Sequence, residues 1–120
     1  MRARGGRKIS RRALYAQVAY QAALEVARGQ ELTRLLRGND RAGKSVRSGP
    51  IRNTARSVAM HLAREAYEAP LVEISRAAGC VRSAARTANL AVWERRDEDP
   101  ELDHALWEAT QQLKGEMIHG

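Results

Sequence analysis

The chain contains no phenylalanine, and aromatic residues make up only 4% of its 120 positions. A core of that composition has to be filled by aliphatic side chains, and by small ones in particular. There is one cysteine, Cys80, so no internal disulfide can form and a disulfide-scaffold secreted protein is excluded. No uninterrupted apolar run approaches the roughly 18 residues of a membrane span. No segment alternates like a strand, and no internal repeat is apparent. The length suits one domain of about 100–150 residues with short tails. It is too short for a large α/β enzyme.

What the chain has in quantity is alanine and arginine. Apolar residues make up 43% of the sequence, and 21 of them are alanine. Lys+Arg is 21 and Asp+Glu is 14, for a net charge of +7. The placement of that charge says more than its total. Residues 1–58 carry 14 cations against Glu25, Glu31 and Asp40, a net of +11; residues 59–120 carry 7 against 11, a net of −4. A basic segment followed by an acidic one is the electrostatic footprint of a protein that meets a polyanion on one side.

Residues 1–9, with Arg2, Arg4, Arg7, Lys8 and two glycines, read as a basic mobile arm. Ser10 is an N-cap for a helix over 11–28 with Gly29 as its stop, and Tyr15, Val18, Ala22 and Val26 recur along it at helical spacing. Residues 30–37 read as a short helix carrying Leu32, Leu35 and Leu36. Residues 38–50 hold Gly38, Gly43, Gly49 and Pro50 with Arg41, Lys44 and Arg47, and almost nothing apolar: a basic loop. Asn53 caps a helix over 54–68 with Ala55, Val58, Ala59, Leu62 and Ala66 inward. Pro70 suits the first turn of a short helix ending before Gly79, and a longer helix follows over 81–95. Asp97–Pro100 breaks it, and a last helix runs to about 114 with Leu102, Leu106, Ala109 and Leu113 inward. The expected fold is all-α, a compact domain of about six helices over residues 10–115, with a tail at 116–120.

Two motif matches fail in context. Gly38–Ser45 satisfies the phosphate-loop pattern G-x-x-x-x-G-K-[ST], which needs an apolar strand before it and a long helix after it. Here a charged leucine helix precedes it, and Gly49 and Pro50 interrupt any helix that follows, so a cationic loop is expected. Ser10-Arg11-Arg12 hints at a twin-arginine signal, but Gln17, Gln21 and Glu25 interrupt the apolar core such a signal requires. Without a targeting segment the expected location is the cytoplasm, at the nucleoid.

A third match fits its context. Residues 73–88 have helix-turn-helix spacing: Ile74, Ala77 and Ala78 face inward on the first helix, Gly79 permits a left-handed turn, and Cys80 takes a semi-buried turn position. Ala85, Ala88 and Val92 face inward on the second. This leaves Arg82, Ser83, Arg86, Thr87 and Asn89 outward as candidate base-contacting residues. These types match donors and acceptors of the major groove: arginine to guanine, asparagine to adenine, hydroxyls to either.

From about residue 30 to 114 the chain resembles the C-terminal DNA-binding domain of the bacterial replication initiator DnaA, a Trp-repressor-like helical domain. The order of elements is similar, and Ala59-Met60-His61-Leu62-Ala63-Arg64-Glu65 is the most specific local likeness. The resemblance implies a loop arginine in the minor groove, for which Arg47 and Arg52 are candidates, and a phosphate contact at Arg64. Lys44 and Arg56 join them as candidate backbone contacts. The family's Asp-His-Thr/Ser-Thr signature falls, with a one-residue gap after Gly79, on Val81, Arg82, Ser83 and Ala84. Only the hydroxyl is kept, so a site other than the family's usual box is expected. Some alphaproteobacterial activators of gene transfer agent clusters pair a DnaA-like module with a sigma-factor-like region. The resemblance implies a transcriptional activator of that kind, with double-stranded DNA and RNA polymerase or a sigma-like protein as partners. A replication-origin protein and an interaction module that binds DNA non-specifically are the alternatives.

No catalytic role, cofactor or metal is expected. His61, His104 and His119 lack ligand spacing with Cys80, and His61 reads as a partly exposed helix residue. Asp97-Glu98-Asp99 is expected to favour the start of the last helix through its dipole, or to contact a basic partner. Trp93 and Trp107 are expected in the core or at an interface, and exposure of Trp107 beside the acidic run would favour a partner there.

Overall fold

The computed structural model describes residues 10–29, 32–35 and 54–119, with the side chains of 54 and 116–119 left aside. The arm (1–9), the basic loop (38–50) and with them Lys44, Arg47 and Arg52 lie outside the described residues. Every regular element described is helical: α1 (Arg11–Ala27), α2 (described over 32–35), α3 (Thr54–Tyr67), α4 (Leu71–Ala78), α5 (Arg82–Glu98) and α6 (Pro100–His119).

Ser10 opens α1 as its side chain accepts from the Ala13 N–H at 3.0 Å. The inward stripe of α1 differs from the expected one. Ala16, Ala19, Tyr20, Ala23, Leu24 and Ala27 are buried, while Tyr15 and Val18 are exposed. The reason is close packing: α1 lies chiefly on α3, and the alanine stripe allows the nearer approach of the two helices. Arg28, in right-handed conformation, ends the helix, so Gly29 supplies no left-handed stop.

α3 is the central helix and packs against α1, α4, α5 and α6. It is therefore buried almost all round, and Met60, His61 and Ala63 join the expected Val58, Ala59, Leu62 and Ala66 inside. His61 is fully buried, which corrects its reading as a partly exposed residue. Ile74, Val92, Leu102, Leu106 and Leu113 bring the remaining helices onto the same core.

The connections are short. Glu68 holds a positive φ of 55° after α3, and the Arg64 guanidinium donates to the Glu68 and Ala69 carbonyls at 3.3 Å each. Gly79 ends α4 at φ 75°, with Gly79 N–H on Arg76 O and Cys80 N–H on Ser75 O, a paired closure that satisfies the helix's last carbonyls. α5 runs three residues further than its expected end, through Asp97 and Glu98. Only Asp99 caps α6, its Oδ1 accepting from the Leu102 N–H at 3.2 Å. α6 continues to His119, past the expected stop at 114.

Candidate nucleic-acid interface

The turn between α4 and α5 brings two helix N-termini to one side of the molecule. Pro70 precedes α4 and Val81 precedes α5, and neither start has a side-chain cap. The first N–H groups of both helices are thus left for other acceptors. Between them lies an open groove of about 770 Å³ lined by Pro70, Leu71, Val72, Arg82, Ser83 and Arg86. Three of the five residues expected to contact bases therefore share one groove, and Thr87 is exposed beside them.

The electrostatics of this corner are locally unfavourable in the free protein. Arg82 and Arg86 are four residues apart on α5, like charges on one face. Both sit in the opening turns of a helix whose N-terminal dipole favours anions, with no acid in the first turn. An external anion removes both penalties at once.

Asn89 has a different position. It is half-buried, and its Oδ1 lies 2.9 Å from His61 Nδ1. On the other side of the ring, Arg96 reaches His61 Nε2 at 2.9 Å and holds Asp103 of α6 through a 2.6 Å bond from Nε. A guanidinium only donates, so Nε2 accepts and the Nδ1–H donates to Asn89. The imidazole is neutral, its pKa pushed down to about 4, chiefly by burial; the Asn89 hydrogen bond opposes that shift and nearby Arg96 adds to it. Trp93 closes the cluster, its ring 5.1 Å from His61 and 4.5 Å from the Arg96 guanidinium. One buried network thus ties α3, α5 and α6 together.

Arg56 also acts inside the fold. It donates to the Ala78 carbonyl at 2.7 Å and so clamps the α4–α5 turn onto α3. Arg64 is exposed, with one guanidinium nitrogen on the carbonyls after α3. Cys80 fills the turn, its Sγ 3.8 Å from Met60 Sδ. Sequence reasoning missed the roles of His61, Arg96 and Asp103, which come from three separate helices. The only trace in the sequence was the two-turn spacing of Asn89 and Arg96.

Among the described residues no group of three or more His, Cys, Asp or Glu side chains could hold a metal ion. Among them, too, no helix is long and apolar enough to cross a membrane. No family model, curated protein or solved structure matches the chain.

Proposed function

We propose that the protein is a sequence-specific double-stranded-DNA-binding regulator whose helix α5 enters the major groove. Arg82, Ser83, Arg86 and Thr87 read base edges, and the first N–H groups of α4 take a neighbouring phosphate. The observation that carries this reading is the placement of Arg82, Ser83 and Arg86 along one open groove at two uncapped helix starts. That placement is unfavourable alone and favourable against a polyanion. Asn89 and Arg56 leave the set of DNA contacts and become positioning residues for α5 and for the turn before it. Arg64 and one of Arg47 and Arg52 supply backbone and minor-groove contacts, a role that the likeness to the DnaA domain suggests, and Lys44 of the basic segment adds a backbone contact. In this reading the protein activates transcription together with RNA polymerase or a sigma-like partner.

The test is selection of bound duplexes from a randomised pool, followed by titration of the selected and a scrambled duplex at physiological salt. The selected duplex is expected to bind at least about 10³-fold more tightly. Equal affinities would overturn the base-reading role of α5 and favour an interaction module with non-specific DNA contact.

A further inference from the structure

The C-terminal helix pair carries a second surface of opposite character. Between Thr87 and Leu113 the only Lys/Arg residues are Arg95 and Arg96, and both are buried. Several acids reach the surface there: Glu94, Asp97 and Glu108 are exposed, the last beside His104 at 3.4 Å. Two tryptophans stand among these acids. Trp107 is 53% exposed and Trp93 36% exposed. A chain of contacts runs from one toward the other: Trp93 covers Arg96, Arg96 holds Asp103, and Trp107 lies one helical turn after Asp103.

The complement is present on the same molecule. On α1 the strip Leu14, Tyr15 and Val18 is exposed, with Val18 at 62%. Its N-terminal end carries exposed Arg11 and Arg12, and the first twelve residues hold six cations and no acid. Within the strip the Tyr15 hydroxyl donates to the Tyr67 carbonyl at 2.9 Å, and burial first, then nearby Glu68, raises its pKa. Exposed apolar strips of this kind mark interaction sites when they are contiguous and rimmed by charge.

We propose that the basic apolar strip of α1 docks on the acidic tryptophan surface of a second copy of this chain. Aliphatic and tyrosine side chains meet the indole rings, and arginines meet the carboxylates, which sets orientation. The contact joins two different patches, so it is heterologous, and a dimer leaves one patch of each kind open. Association therefore continues head to tail beyond the dimer. None of these residues lines the α4–α5 groove, so the inference stands apart from the DNA-binding reading.

Sedimentation velocity of the full chain without DNA, from micromolar to millimolar concentration, tests it. The wild type is expected to grow past the dimer with concentration and to dissociate as salt rises. Val18→Glu and Trp107→Lys, both at exposed positions, are each expected to remain monomeric in isolation, with circular dichroism showing intact helices. Mixed one to one, they are expected to form a heterodimer that grows no further, because one copy keeps the tryptophan surface and the other keeps the α1 strip. A wild type that stays monomeric throughout would overturn the proposal. So would a wild type that stops at a dimer, or a mixture that fails to associate.

Discussion

Asn89 of α5 accepts a hydrogen bond from the buried imidazole of His61 on α3 across 2.9 Å. Arg96, two helical turns further along α5, donates to the opposite nitrogen of the same ring. One side chain therefore fixes both the rotation and the axial position of α5. Arg82 and Arg86, on the exposed side of that helix, take their direction from a contact they do not make.

Stability is expected to fall as pH drops through the window between the ordinary histidine value and the folded-state value of about 4 for His61. Unfolding lets the ring take up a proton that the folded state excludes, so the unfolded chain binds more protons there. The contribution is fully present above about pH 6.5 and is lost progressively toward pH 4, about 3 kcal/mol at most. Urea unfolding at pH 7 and pH 4.5 measures it, with His61→Gln as the comparison. The variant should show a shallower pH dependence; an unchanged slope would count against His61 as the source.

Gly79 sits at φ 75°, and a Cβ there would meet nothing within 4 Å. The cost of Gly79→Ala is therefore purely conformational, about 1–2 kcal/mol for a left-handed L-residue. Chemical denaturation should show that loss with an unchanged denaturant slope. A neutral result would mean that the turn relaxes to another conformation.

Arg82→Ala is expected to weaken binding to a selected duplex by about 1–3 kcal/mol and to relax preference at one base pair. Random duplex should be affected less. Titration of both duplexes by fluorescence anisotropy separates the outcomes, and equal losses would assign Arg82 to the phosphate backbone.

Lys44→Ala should act differently, because a lysine acts as a point charge toward phosphate. Affinity should fall by a similar factor for every sequence, with the salt dependence of log K reduced by about 1. A salt titration of the variant and the wild type on two unrelated duplexes measures this, and a loss confined to one duplex would place Lys44 at a base instead.

Local chemistry made much of the fold readable in advance. Ser10 accepts from its third following N–H, Gly79 takes the left-handed turn, and Pro100 restarts a helix, because each needs only its near neighbours. The same holds for Arg82, Ser83 and Arg86: the inward alanines of α5 leave them outside wherever the helix packs. Periodicity was less reliable for α1, where the larger Tyr15 and Val18 suggested one face and the alanines occupy the core. Helical spacing permits either stripe, and the choice rests on which lets α3 come closer.

An all-helical chain, the turn at Gly79 and the separation of basic from acidic halves follow from the order of residues alone, since propensity, capping and charge act over a few residues. The burial of His61, the inward turn of Asn89 and Arg56, and the exposure of Trp107 are set by how the helices pack. Those assignments depend on four helices enclosing α3, and no window of sequence contains that fact.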